Sequence, residues 1–162
     1  MRISFDLDDT LFVSEQKFKT EPAPKFPFNF IYKDRLRAGT VELLNYIRDQ
    51  KIELWIYTTS FRSEKYITGL FKYYGIKLDS IVNGARHERE VQAGHSEGMP
   101  SKYPSKYRID LHVDDDISVV ENGKTYGFNV FHIGGPDDEW VDKIKADIEK
   151  IRKRKQAAGT DS

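Results

Sequence analysis

Short apolar runs alternate with helix-like or irregular stretches from one end of this chain to the other, and that alternation constrains the fold more than any other feature. The runs cover residues 2–6, 52–57, 80–83, 109–113 and 129–133. Residues 52–57 are apolar almost throughout, as expected of a strand covered on both faces. Between them, residues 39–50 carry an apolar stripe of Val41, Leu43, Leu44 and Ile47 at helical spacing, and residues 63–74 read as a second helix with Ser63 as N-cap and Gly75 as stop. A final amphipathic helix is expected over 138–155, with Val141, Ile144, Ile148 and Ile151 inward, and a disordered tail over 156–162. Strands alternating with helices imply an α/β fold: a three-layer, Rossmann-like arrangement with a central parallel sheet, whose ligands bind at the carboxyl ends of the strands.

Two segments interrupt the rhythm. Residues 13–37 combine Pro22, Pro24 and Pro27 with Phe18, Phe26, Phe28 and Phe30. Proline at this density excludes a regular helix, and aromatics at this density exclude a solvated linker. The segment is expected to be a compact insertion, either a lip on the active site or a surface loop anchored by its own aromatics. Residues 84–106 are polar and irregular. At 162 residues, 38% of them hydrophobic, the chain fits one domain, taken as residues 1–155. A formal net charge of +0 argues against a protein that coats nucleic acid or a membrane, and no run approaches membrane-spanning length. The count of cysteines is 0, which excludes disulfides, a thiolate zinc site and a thiol nucleophile. A cytoplasmic location is expected.

The chemistry begins where the first strand ends. Asp6 and Asp8 follow an apolar run directly, and two acids at a strand's carboxyl edge are costly to hold together without a cation. Mg²⁺ takes a few carboxylate oxygens and leaves room for a phosphate, which points to metal-assisted phosphoryl chemistry on an aspartate. Asp114 and Asp115 sit at the end of a later strand and are expected to face the same pocket. Asp9 is expected to face solvent or stabilise the turn, and Asp116 to cap the segment after it.

The segment Phe5-Asp6-Leu7-Asp8-Asp9-Thr10-Leu11 resembles the DxDxT signature of the haloacid dehalogenase (HAD) superfamily. Further landmarks follow in order. Trp55-Ile56-Tyr57-Thr58 resembles its second motif, Lys102 or Lys106 its third, and Leu111 to Asp115 its fourth. The resemblance runs from Met1 to about Gly134. It implies a HAD-like fold with at most a small cap insertion, and Asp6 as the nucleophile that forms an aspartyl-phosphate. Asp8 would be the general acid and base, and aspartate at this position implies phosphomonoester substrates. Thr58 would donate to a phosphoryl oxygen, with Thr59, Ser60 and Arg62 as substrate-binding neighbours. Lys102 is preferred over Lys106 as the lysine that offsets phosphoryl charge. Asp6, the backbone carbonyl of Asp8, Asp114 and Asp115 would hold Mg²⁺. Asp114 stands where the family often has glycine, and Val119 and Val120 where it has another acid, so the pattern matches a double-aspartate variant.

A Mg²⁺-dependent phosphomonoester hydrolase is the reading these residues imply. A phosphotransferase or mutase with the same site and a non-enzymatic phosphate- or metal-dependent binder are the alternatives. The partner expected is a phosphorylated substrate, whether small molecule, nucleotide or macromolecular end, and a partner subunit could supply a lid. His87 and His95 are expected at the surface or the substrate rim, and His112 and His132 in the core or at the sheet edge.

Overall fold

The computed structural model describes residues 1–160. It contains a five-stranded sheet of β1 (Arg2–Phe5), β2 (Glu53–Tyr57), β3 (Ser80–Val82), β4 (Leu111–Asp114) and β5 (Val130–His132). Every pairing is parallel, in the spatial order β3-β2-β1-β4-β5. The chain winds outward from β1 to β3, then returns to the other side of β1 for β4 and β5. The switch point therefore lies between β1 and β4, where a crevice opens at the strand carboxyl ends.

Period-two alternation divides the sheet's faces. Leu54 and Ile56 of β2 join a core with Leu43, Leu44 and Ile47 of α1 (Thr40–Asp49), Ile67, Leu70 and Phe71 of α2 (Glu64–Tyr73), and Ile144 and Ile148 of the final helix. Trp55 and Tyr57 point the other way, into a smaller cluster with Val82, Val91, Tyr107 and Ile109. That second face is covered by the polar segment between β3 and β4, which forms a short α3 (Gly84–His87), a π-helical turn (Glu88–Gln92) and a 3-10 turn (Pro104–Tyr107).

The two early helices start and stop for reasons visible in the sequence. The Ser63 side chain accepts from the backbone N–H of Tyr66, and α2 ends before Gly75, which adopts φ +76°. One helix has no strong sequence signature: α4 (Ile117–Tyr126) buries only Val119 and Gly123, one turn apart. Gly123 lies so close to the Phe128 carbonyl that a Cβ would sit 2.6 Å from its oxygen, so packing overrides glycine's low helix propensity. The cap expected of Asp116 is present, its side chain accepting from Ser118 N–H at 2.8 Å.

The final helix, α5 (Trp140–Thr160), corrects the expected tail. Residues 156–160 continue the helix through two alanines, which favour it, while 161 and 162 lie outside the described residues. The basic run at 150–155 therefore falls inside the helix and not at its end. Among the described residues no helix is long and apolar enough to cross a membrane.

The 13–37 insertion is clasped at its base by antiparallel bridges, Phe12 to Leu36 and Thr20 to Arg37. It lies along α2. Phe28 stacks 5.3 Å from Tyr73, Tyr74 donates to the Pro22 carbonyl at 2.6 Å, and Tyr32 fills the space above Gly69. Phe26 and Phe30 stay exposed.

Candidate active site

Parity along β1 and β4 decides what faces the crevice. Ser4 pairs with His112 in register, so Asp6 and Asp114, each two residues further on, project to the same face. Backbone pairing carries on past β1, with Asp6 N–H donating to the Val113 carbonyl at 2.9 Å. Both carboxylates are buried, Asp114 completely. Lys102 enters from the segment that covers this face and is itself 3% exposed. Its Nζ lies 3.0 Å from Asp6 Oδ1 and bonds Asp114 Oδ2. Tyr57 fixes its approach by accepting from the neighbouring Tyr103 N–H at 2.8 Å, and the same hydroxyl bonds His87 Nδ1 at 2.7 Å. Lys106 points elsewhere, to the Glu90 carbonyl.

The electrostatics follow from this crowding. Burial pushes the Asp6 carboxyl up to about 6, with Lys102 opposing and Asp114 reinforcing the rise. Burial also works against ionised Asp114, but the hydrogen bond from His112 and the charge and hydrogen bond of Lys102 outweigh it and hold that carboxyl down at about 2. Lys102 is raised, because Asp6 and Asp114 together overcome its own desolvation. Burial lowers His112, which favours the neutral ring.

Asp114 is fully engaged. Its Oδ2 meets Lys102 and, at 2.8 Å, His112 Nε2, and its Oδ1 accepts from Asp116 N–H at 2.9 Å. His112 is anchored in turn by Ser4 Oγ at 2.7 Å from Nδ1. Asp115 is half-buried, and its Oδ1 accepts from the Thr10 hydroxyl at 3.0 Å. Asp6, Asp114 and Asp115 each present an oxygen within 4.8 Å of the others. Asp6 and Asp114 share Lys102 and Asp115 adds a third carboxylate, an all-oxygen donor set with excess negative charge that fits a hard divalent cation. The carboxylate of Asp8 lies outside this set, and the backbone carbonyl is the only atom of Asp8 assigned to metal from the sequence.

Asp8 faces Arg62 instead. Arg62 Nη1 and Nη2 each lie 2.9 Å from an oxygen of Asp8. The other edge of the guanidinium grips Asp34 of the insertion at 3.1 and 3.0 Å, and Nη1 also reaches Ser60 Oγ at 2.9 Å. The hydrogen bond to Asp8, with Asp34 adding, raises the Arg62 guanidinium further. Asp9 adopts φ +59°, a left-handed turn that aspartate tolerates, and its side chain is exposed.

Thr58 is buried at the end of β2, and its Oγ1 accepts from Ser60 N–H at 3.1 Å, which leaves its own proton to donate. Thr59 is exposed. The 58–62 loop is stitched to β3 by Asn83, whose side chain donates to the Arg62 carbonyl at 3.0 Å, and by Gly84 N–H to the Ser60 carbonyl at 2.8 Å. A Cβ on Gly84 would sit 2.6 Å from the Thr59 oxygen.

Three participants escaped the sequence reading. His112 had a signal, since it shares a strand face with Asp114. Asp34 and Tyr57 had none, because their roles depend on how irregular segments pack.

No protein-family model matches the chain, and no curated protein matches it in sequence. Solved structures do. A HAD-superfamily hydrolase of subfamily IA from Geobacter sulfurreducens superposes with a TM-score of 0.54 at 12% identity, covering 87% of this chain and 97% of the other. The D,D-heptose 1,7-bisphosphate phosphatase from B. bronchiseptica, complexed with magnesium and phosphate, gives 0.52 at 12% identity over 83% and 81%. A chain of the Pnkp1/Rnl/Hen1 RNA repair complex gives 0.52 at 16% identity, and the match spans 84% of this chain but only 43% of that one. The chain has the HAD-like fold that these proteins share.

Proposed function

We propose that this protein is a Mg²⁺-dependent phosphomonoester hydrolase working through an aspartyl-phosphate on Asp6. The observation that carries the reading is the group of Asp6, Asp114 and Asp115, two buried and one half-buried, with Lys102 bonded to the first two. Three carboxylates against one ammonium leave two negative charges uncompensated, the charge of one divalent cation. Nothing in folding alone requires that arrangement, since unpaired buried charge is destabilising. Asp6, Asp115 and the Asp8 carbonyl would hold Mg²⁺, which would supply charge neutralisation for the phosphoryl oxygens.

The chain's own residues do the rest. Lys102 fixes one oxygen of Asp6, leaving the other to attack phosphorus. Asp8 gives its proton to the leaving oxygen as the P–O bond breaks. It then takes a proton from the water that cleaves the acyl-phosphate, returning Asp6 and releasing phosphate. Thr58 Oγ1–H and the Lys102 ammonium steady the transferring group's oxygens. Asp114, saturated by three donors, orients Lys102, while the less encumbered Asp115 is the direct metal ligand of the pair.

The test is phosphate release from a panel of sugar phosphates, nucleotides, phosphopeptides and 3′- and 5′-phosphorylated oligonucleotides, with Mg²⁺ and with chelator. Turnover that needs Mg²⁺ and disappears in Asp6→Asn supports the reading. Turnover that survives Asp6→Asn, or a folded protein that releases nothing, overturns it.

A further inference from the structure

Arg62 offers five N–H donors, and in this structure all of them are taken: two by Asp34, two by Asp8 and one by Ser60 Oγ. No donor remains for a phosphate. Resting on the hydrolase reading above, we infer that Arg62 acts through Asp8 and not on the substrate, and that Asp34 is the positioning residue that aims it. The insertion thereby becomes part of the catalytic apparatus.

The geometry supports this from both sides of the guanidinium. Asp34 is itself fixed, because Tyr66 of α2 donates its hydroxyl to Asp34 Oδ2 at 2.9 Å. The same hydroxyl accepts from the Lys33 N–H at 3.2 Å. Tyr66 thus pins the insertion's return strand to α2 at the place where Asp34 must stand. Phe12, on the chain leaving the catalytic turn, lies under the guanidinium at 5.1 Å from its centre. Two bidentate contacts and a ring face leave Arg62 one orientation, and a planar fork transmits that orientation to both oxygens of Asp8. Without Asp34, Arg62 keeps its charge but loses its aim. A proton-transferring group displaced by about 1 Å can lose a hundredfold in rate.

The experiment is steady-state kinetics of the full chain on whichever panel substrate it turns over, with Asp34→Asn, Asp34→Glu and Tyr66→Phe beside the wild type. Asp34→Asn should lower kcat about tenfold or more with KM within about twofold, and Asp34→Glu should recover part of the loss. A raised KM with kcat retained would identify Arg62 as a substrate ligand and overturn the inference, as would unchanged kinetics. A second readout needs no turnover: the Arg62 Nε–H resonance should be protected from exchange in the wild type and lose protection in Asp34→Asn at a similar melting temperature. If the wild type hydrolyses nothing, the hydrolase reading fails, and loss of that protection still upholds Asp34 as the residue aiming Arg62 at Asp8. Retained protection overturns it.

Discussion

Two cations are buried among the described residues, and they are kept there by different means. Lys102 is 3% exposed and sits between the carboxylates of Asp6 and Asp114. Arg37 is 2% exposed and has no salt bridge among the described residues. It donates to the carbonyls of Gly134 and Gly135 at 3.2 and 2.7 Å, lies 4.6 Å from the ring of Phe18 and 5.2 Å from that of Trp140, and leaves Nη1 without a partner among the described residues. The two environments shift their charges in opposite directions. Lys102 is raised by its carboxylates, whereas burial lowers Arg37 against weaker help from Asp137 and Asp115. Arg37 joins the base of the insertion to the loop after β5, as a packing element with a charged head. Lys102 instead balances two buried acids at the ends of neighbouring strands.

Removing each cation should separate the roles. Lys102→Met leaves Asp6 and Asp114 unbalanced. Phosphate release should fall about 10²–10³-fold, and urea denaturation should show a loss of about 3 kcal/mol. If turnover survived, Lys102 would be as structural as Arg37. Arg37→Leu should cost about 2 kcal/mol in the same denaturation experiment, through lost carbonyl bonds and ring contacts. Its turnover per folded molecule should stay near wild type.

Acidity sharpens the contrast, because the carboxylates around Lys102 titrate on opposite sides of their ordinary value. Asp6 is raised to about 6, so between about pH 4 and 6 the folded chain holds a proton that the unfolded chain has released. Its contribution therefore falls as pH rises through that window. Asp114 is held at about 2, so its contribution is full above about pH 4 and is lost as pH falls toward 2. Asp6→Asn should abolish turnover yet stabilise the protein at pH 7 by on the order of 1–2 kcal/mol. Denaturation midpoints across pH 3–8, with and without Mg²⁺, would show it, and bound Mg²⁺ should flatten the Asp6 limb in the wild type. A mutant less stable than wild type at pH 7 would contradict the burial argument. The smallest effect is expected at Lys106, which is held only by a backbone carbonyl: Lys106→Ala should leave turnover within about twofold and stability within about 0.5 kcal/mol.

The sheet was legible because its signal is local. Short apolar runs placed Asp6 and Asp114 at strand ends, and the buried Lys102 is the one preferred over Lys106. The α2 cap at Ser63 and the Asp116 cap were readable for the same reason, since a cap involves residues two or three positions apart. What the chain did not disclose is non-local or carried by weak patterns. Helix α4 buries a valine and a glycine, too little for an amphipathic stripe. Asp34 meets Arg62 only because Tyr32, Gly69 and Tyr66 dock the insertion against α2, a contact between segments with no shared periodicity. The preference proposed for Asp115 over Asp114 as metal ligand rests on counting donors around one carboxylate, which no spacing rule supplies.

The clasp at the base of the insertion has a consequence for how this molecule can change in length. Val13 N–H donates to the Arg35 carbonyl and Arg37 N–H to the Leu11 carbonyl, so the two ends of the insertion are tied where they leave the core. Extra residues at its exposed tip would enlarge a loop already closed, at about 0.6 kcal/mol for each doubling. One extra residue within β1 or β4 would turn Asp6 or Asp114 to the opposite face. The chain thus has one place where it can lengthen at little cost, and two adjacent strands where its spelling must keep its count.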